Sequence, residues 1–297
     1  MQSSSLSAIL PIIAIAPVSA LALAVVWWPA HLVWKVAYWQ FVLIYLAAVV
    51  LLFLRPVQRW VLAPLLGAHA PDPHQHERLR RAWQPVAASN GLDTSSYVLS
   101  VLPSTELNAF ACGGHLVVVT SFAVQTLSEQ ELSGVLAHEL SHHLGLHTVV
   151  LTLEHWLSIP VLVLARVGFF LQNVAHAATD SFVSHSSALS AIGRAVAALL
   201  TAVSWVFLAG LVVTRLVSNR VSKKAEFEAD EQVVSMGFGP QLLAALRRVA
   251  GNRPGIGVRR DGTLDIPRPA TNFWEHLDVS HPPARTRMAR IDALLRR

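Results

Sequence analysis

The sequence predicts a mainly α-helical membrane protein with about four transmembrane helices and an α+β domain that carries a small β-sheet. Hydrophobic residues make up 53% of its 297 residues and charged residues only 14%, and the mean hydropathy is +0.48. Soluble domains usually carry about 25% charged residues, so this composition favours a membrane protein. Long apolar stretches alternate with polar ones, and strand patterns precede a strong helix pattern within the polar part.

Three stretches are apolar and long enough to cross a bilayer, because a hydrocarbon core of about 30 Å requires about 20 helical residues. They are residues 6–28, 36–54 and 195–213, and none of them contains Asp, Glu, Lys or Arg. A fourth stretch, 156–171, is a weaker candidate because it contains Pro160 and Arg166. A true span, a re-entrant segment and an interfacial helix all fit this fourth stretch.

Basic residues follow the second and the last apolar stretches, whereas residues 172–190 contain no Lys or Arg. The positive-inside rule therefore predicts a multi-pass protein of the cell membrane whose polar regions face the cytoplasm. Lys35, in the first short loop, opposes this orientation. The residues that support it are Arg55, Arg59, Arg215, Arg220, Lys223 and Lys224.

These boundaries predict four parts along the chain. Residues 1–54 form an N-terminal transmembrane hairpin, and residues 55–150 form a first cytoplasmic part. Residues 151–217 form a second membrane hairpin, and residues 218–297 form a second cytoplasmic part with an Arg-rich tail. The two cytoplasmic parts are expected to build one domain, since neither alone contains both a strand pattern and the acidic helix described below.

The first cytoplasmic part contains one polar helix pattern and a small set of strand patterns. Residues 74–89 have the spacing of an amphipathic helix, which we expect Pro85 to break. Residues 97–102 and 115–120 read as strands, residues 107–111 as an extended stretch, and a Gly-Gly pair between the last two is typical of a tight turn.

The most informative motif is His138-Glu139-Leu140-Ser141-His142. On a helix, histidines four residues apart lie on the same side and can bind one zinc ion at about 2.0–2.1 Å, while the glutamate between them can reach a water that the metal activates. Ser128 and Glu131 form a capping-box pattern, so a helix should begin near Ser128 and pass through His142. The alternative is a histidine-bearing helix that merely packs or faces solvent.

Catalytic zinc sites usually have three protein ligands and a water, so a third donor is expected. Glu226 and Asp230 lie four residues apart on a helix predicted over residues 223–235, with Ser222 as its N-cap. One carboxylate could bind the metal while the other accepts the spare N–H of a ligand histidine. The alternative is a solvated acidic surface paired with the lysines that precede it.

Together with the downstream His281 and Arg287, these motifs resemble the M48 family of membrane zinc peptidases. The resemblance extends from about Asn108 to Ile291, and it is closer to the HtpX-like branch than to the Ste24 CaaX-processing endopeptidases. It implies a zincin-type metallopeptidase domain and one zinc ion per chain. The residues that it implies as zinc ligands are His138, His142 and Glu226.

The resemblance also implies roles for further residues. Glu139 would be the general base and later give its proton to the leaving amine. Asp230 would orient a ligand histidine, and His281 with Arg287 would hold the oxyanion or anchor the tail on the active site. An extended substrate would bind by strand addition. The segment that matches the family's edge strand is Asn108-Ala109-Phe110-Ala111.

The implied function is an integral-membrane zinc endopeptidase that hydrolyses misfolded or membrane-associated proteins, with protein or peptide substrates and the lipid bilayer as its partners. Three alternatives remain open: a signalling protein with a zinc site, of the antibiotic-receptor metallopeptidase type, a CaaX-type prenyl-peptide protease, and a scaffold with structural zinc. No nucleic-acid-binding module is apparent. The sequence predicts neither the oligomeric state nor the natural substrate.

Two histidines near the motif and the single cysteine are expected to have no catalytic role. His143 and His147 point away from the expected metal face, so we expect polar or interfacial histidines there. Cys112 is the single cysteine, which excludes an intramolecular disulfide, and we expect it to be a small buried hydrophobic residue.

Overall fold

The computed structural model describes residues 3–145, 147–182, 187–252 and 283–296. These residues are mostly helical and include a small β-sheet, as the sequence predicts. In chain order the helices are α1 (Ser3–Trp34), α2 (Tyr38–Leu51), α3 (Pro73–Ser89), α4 (Ser121–Thr126), α5 (Glu129–Leu144), α6 (His147–Phe182), α7 (Ser187–Ser235), α8 (Gly239–Asn252) and α9 (Ala284–Leu295). The strands are β1 (Val98–Leu102), β2 (Ala109–Cys112) and β3 (Leu116–Thr120).

The chain forms two compact units. The first comprises Met1–Val50 and Val150–Val221, and the second comprises Leu51–Val149 and Ser222–Arg297. In the first unit, Ile15, Val161 and Phe207 are among the buried side chains of a small apolar cluster. The second unit holds the sheet and the larger core.

Three helical segments are long and apolar enough to cross a membrane: Ile9–Trp34, His147–Ala175 and Ala191–Ser235. Tyr38–Leu51 meets this test only together with Arg55–Leu65, to which it is joined at an angle of 76°. The described residues therefore contain three candidate spans, or four if the bent pair counts as one. The weaker candidate predicted from the sequence, residues 156–171, lies inside His147–Ala175, the part of α6 that is long and apolar enough to cross a membrane.

The predicted apolar stretch 36–54 is not one continuous helix. Helix α2 ends at Leu51, and Leu54 has an extended backbone with ψ of 130°. A new helical segment then runs through Arg55–Val57, a π-helical turn at Gln58–Leu62, and Ala63–Leu65. Pro56 lies in its first turn, where a missing N–H costs no hydrogen bond. We call Arg55–Leu65 the juxtamembrane segment.

Two helix boundaries predicted from single residues are wrong. Pro85 does not break the helix at residues 74–89, because α3 continues to Ser89 with its apolar face buried. The predicted helix at residues 223–235 has no start at Ser222, because α7 continues through that position. No Gly or Pro interrupts residues 211–235, so the chain offers no local reason to stop the helix there.

Helix α5 lies at the centre of the second unit. The sheet has the order β1-β3-β2, with β3 parallel to β1 and antiparallel to β2. All five residues of β3 are buried, whereas β2 lies at an edge and contacts α5. Helices α3 and α8 also pack on α5, which buries its apolar residues. These are Leu132, Leu136, Ala137 and Leu140.

Gly134 permits a very close approach between α5 and α8. A Cβ atom at this position would lie 2.3 Å from the backbone nitrogen of Leu242 and 2.6 Å from the carbonyl carbon of Gln241. Backbone atoms cannot move aside as a flexible side chain can. The absence of a side chain at Gly134 therefore fixes the distance between these two helices.

We expect Gly134→Ala to lower the free energy of unfolding by about 1–3 kcal/mol, since the helices must separate to admit the methyl group. Alanine favours helix over glycine by about 1 kcal/mol, so a loss of stability would isolate the packing effect. Thermal unfolding of the protein in detergent measures it. Gln130→Ala, an exposed position on the same helix, is the control and should change little. A stability equal to or above that of the parent would contradict the close packing.

Candidate active site

The capping box at the start of α5 fixes where the histidine motif lies. The Ser128 hydroxyl accepts a hydrogen bond from the Glu131 N–H at 3.2 Å, and the Glu131 carboxylate accepts one from the Ser128 N–H at 2.7 Å. Arg248 of α8 donates to the same carboxylate at 3.0 Å. The predicted helix start is thus confirmed, and it is tied to the neighbouring helix as well.

Three donor side chains converge at one buried point. Nε2 of His138 lies 3.3 Å from Nε2 of His142 and 3.4 Å from Oε2 of Glu226. Nε2 of His142 lies 3.2 Å from Oε1 of Glu226. Helix α5 supplies both histidines and α7 supplies the glutamate. The structure therefore brings together the three residues that the sequence suggested as ligands.

These distances fit a zinc ion. In a tetrahedral site with bonds of about 2.0–2.1 Å, neighbouring donor atoms are about 3.3–3.4 Å apart. The 3.3 Å between the two histidine nitrogens matches this edge length, and each nitrogen lies 3.2–3.4 Å from a different oxygen of the Glu226 carboxylate. Two imidazole nitrogens and one carboxylate oxygen are also donors that zinc accepts. His138, His142 and Glu226 could hold one metal ion.

Asp230 contacts the ring nitrogen of His138 that does not face Glu226. Its Oδ1 lies 3.2 Å from Nδ1 of His138, on the side of the ring away from Glu226. An Nδ1–H that donates to Asp230 leaves Nε2 with its lone pair directed toward the metal position. Glu226 and Asp230 are four residues apart on α7, so both face α5.

Arg287 of α9 binds both carboxylates. Its Nε and Nη2 donate to the two oxygens of Asp230 at 2.9 and 2.7 Å, and its Nη1 lies 3.5 Å from Oε2 of Glu226. The guanidinium is buried, and such a two-pronged pair is among the stronger hydrogen-bonded contacts in proteins. Helix α9 is thereby fastened to the donor group. His281, the other tail residue suggested by the sequence, lies outside the described residues.

The two carboxylates favour positive charge on His138. Burial and the nearby Arg287 oppose protonation of this imidazole, but the contacts with Asp230 and Glu226 outweigh them and raise its pKa to about 9. A metal ion would occupy the same field of negative charge. Glu139, the next residue on α5, is also buried beside this group.

His143 has a structural role that the sequence did not reveal. It is buried, and its Nε2–H donates to the carbonyl of Leu116 in β3 at 3.2 Å. The Thr148 hydroxyl donates to its Nδ1 at 3.1 Å. Burial lowers the pKa of His143 to about 4, so the ring is neutral and ties α5 to the sheet. No local signal could have indicated the contact with β3, because Leu116 lies 27 residues earlier in the chain.

The proposed substrate segment includes the edge strand. Ala109, Phe110 and Ala111 belong to β2, and Asn108 directly precedes it. The Asn108 N–H donates to the Thr120 hydroxyl at 3.1 Å, and that hydroxyl donates back to the Asn108 carbonyl at 2.9 Å. Cys112 ends the strand and is half-buried, not fully buried as expected.

Comparison with known proteins gives one family. The model of peptidase family M48 matches residues 73–295. A protease HtpX homolog of Lactobacillus helveticus is 29% identical over 205 residues, which cover 65% of this chain and 66% of that protein. A homolog of Desulfotalea psychrophila is 26% identical over 249 residues, covering 80% and 82%. Protease HtpX of Xylella fastidiosa is 29% identical over 206 residues, covering 64% of each.

The chain thus spans slightly less than two thirds of the length of the Lactobacillus helveticus relative. The family match is longer, since it covers three quarters of this chain and includes both α5 and the region of Glu226. It begins at the first residue of α3 and ends at the last residue of α9.

Loss of an outer hydrogen-bond partner typically weakens zinc binding about 10–100-fold. We expect Glu226→Gln to weaken it more, because a neutral amide replaces the anionic carboxylate of a ligand. Equilibrium dialysis with zinc analysis measures the effect. Glu228→Gln is the matched control, since Glu228 is on the same helix but pairs with Lys224 at 3.4 Å. Equal loss in both variants would show that general acidity, not the donor group, binds the metal.

Asp230→Asn should weaken zinc binding about 10–100-fold while leaving the three donors in place. The amide is neutral, so it is a poorer acceptor for the His138 N–H and for Arg287. The same dialysis reports the affinity, and circular dichroism reports whether the helices persist. Unchanged affinity in a folded variant would argue against an orienting role for Asp230.

Proposed function

The chain belongs to peptidase family M48, and on this basis we propose that it is an integral-membrane zinc endopeptidase of the HtpX-like type. The proposal is supported by the buried donor group, in which the His138 and His142 nitrogens lie 3.3 Å apart and each lies 3.2–3.4 Å from an oxygen of Glu226. Within the described residues, this group offers three protein donors. Three donors are typical of catalytic zinc sites, whereas structural sites are closed by four, which disfavours the scaffold alternative.

We assign the chemistry to the residues around this group. A bound zinc ion would supply a Lewis acid that lowers the pKa of a water to about 7 and polarises the substrate carbonyl. Glu139 takes the proton from the attacking water and gives it to the leaving amine. Asp230 keeps the His138 tautomer that directs Nε2 forward, and Arg287 holds Asp230 in place.

Substrate binding is assigned to the edge strand. Because β2 lies at the end of the sheet and contacts α5, an extended peptide could add beside it and lie near the donor group. Main-chain hydrogen bonds favour no particular sequence, which suits the cleavage of misfolded or membrane-associated proteins. His281 remains a candidate for holding the oxyanion.

The cytoplasm is the proposed location of the active site, and the cell membrane is the proposed membrane. The support is the distribution of Lys and Arg, which follow the apolar stretches 36–54 and 195–213 at Arg55, Arg59 and 215–224 and are absent from 172–190. A second membrane hairpin at residues 151–217 agrees with the apolar character of α6 and α7.

We expect Glu139→Gln to reduce cleavage of a casein-like substrate by at least about 10²–10⁴-fold, because the amide cannot accept the proton of the water. Zinc binding should remain, since Glu139 is not part of the donor group. Initial rates with the purified protein in detergent, after chelation and zinc add-back, measure the effect.

Two outcomes of this experiment would reject the mechanism. Cleavage at the parent rate by Glu139→Gln would exclude Glu139 as the base. Cleavage by the chelated parent protein without added zinc would exclude the metal. Glu228→Gln serves again as the control and should retain the parent rate, since its carboxylate pairs with Lys224 and is not one of the three donors.

A further inference from the structure

The juxtamembrane segment Arg55–Leu65 has two different sides. Its inner side consists of Gln58, Leu62 and Ala63, which are all buried in the second unit. Its outer side combines exposed apolar residues with exposed arginines, and none of these takes part in the donor group. The outer residues are Arg55, Arg59, Trp60, Val61 and Leu65, preceded by the exposed Leu54.

The inner side holds the segment firmly on the turn between β2 and β3. The Gln58 Oε1 accepts a hydrogen bond from the His115 N–H at 3.0 Å. Gly113, with φ of +63°, faces the same side chain, and a Cβ atom there would lie 2.5 Å from the Gln58 Nε2. The segment is therefore a fixed part of the second unit, and its outer side has a defined direction.

The outer side has the character of a membrane-interface surface. Trp60 is 72% exposed, Val61 51% and Leu65 44%. The guanidinium of Arg59 lies 5.3 Å from the centre of the Trp60 ring. Large apolar groups gathered at one place usually mark a site of interaction, and tryptophan beside arginine is typical of the region between lipid headgroups and acyl chains.

The segment is by itself too short to cross a bilayer. Its eleven residues span about 16 Å, whereas the hydrocarbon core is about 30 Å thick. Arg55 and Arg59 would also be costly in the hydrocarbon core. A segment lying along the interface avoids both difficulties, because its charges reach the headgroups.

We propose that the juxtamembrane segment lies along the surface of an anionic membrane leaflet. Arg55 and Arg59 contact lipid phosphates, and Trp60, Val61 and Leu65 enter the boundary with the acyl chains. Two features favour this partner: the arginines complement anionic headgroups, and the apolar helix α2 ends at Leu51, only four residues before Arg55. The proposal goes beyond the peptidase function and does not depend on it.

Site-directed spin labelling of the full chain in vesicles tests this placement. In a Cys112→Ser background, Val61→Cys and Leu65→Cys are labelled and compared with Gln125→Cys on the exposed surface of α4. We expect the ratio of oxygen to nickel-complex accessibility to be several-fold higher at positions 61 and 65 than at 125, with a depth near the headgroup boundary. Water-like values at 61 and 65, or a depth at the bilayer centre, would overturn the proposal.

The role of the arginines is tested with vesicles of phosphatidylcholine alone and with added phosphatidylglycerol. We expect the label at position 61 to lie deeper in the anionic vesicles, and this difference should vanish in Arg55→Gln/Arg59→Gln. Arg80→Gln/Arg81→Gln is the matched control, since both side chains are half exposed on α3 and the charge change is equal. A difference that persists in the first pair, or is lost equally in the control, would overturn the assignment of Arg55 and Arg59.

Discussion

The arrangement of the second unit depends on the burial of two carboxylates beside two imidazoles. Glu226 and Asp230 are 1% and 0% exposed, and such groups are costly to bury unless opposite charges meet them. Arg287 supplies one fixed positive charge, and His138 holds a second when it is protonated. A bound metal would replace that proton. Helices α5, α7 and α9 are thus held together by charges that need one another, not by apolar contact alone.

The same constraint explains why α5 is polar on one side and buried nearly throughout. Its apolar residues pack on α3, α8 and the sheet, and several of its polar residues make defined contacts. Glu131 caps the helix, His143 binds the β3 backbone, and Ser133 donates to the carbonyl of Ala82 at 2.9 Å. With α5 held on several sides, the imidazoles of His138 and His142 are directed toward Glu226 of α7.

The sequence was most informative where the signal is local. The spacing of His138 and His142, the capping box at Ser128, and the common face of Glu226 and Asp230 depend only on helix geometry, and the structure brings these residues together. The sequence was misleading where a helix boundary was predicted from a single residue. Pro85 and Ser222 lie inside continuous helices because burial and the neighbouring sequence outweigh one unfavourable position. The hydrogen bonds of His143 and the bend after Leu51 arise from tertiary contacts, which no periodicity reports.

The Thr120 hydroxyl helps to fix the register between the edge strand β2 and its neighbour β3. Thr120 ends β3, exchanges hydrogen bonds with Asn108, and accepts one from the Ala123 N–H at 3.3 Å, so it also starts α4. A one-residue shift of β2 along β3 would move every β2 side chain to the opposite face of the sheet, and the hydrogen bonds between Thr120 and Asn108 oppose that shift. The outer edge of β2 therefore has its backbone N–H and C=O groups at fixed positions. A strand paired with that edge would have its alternation of side chains, but not its sequence, set by those positions.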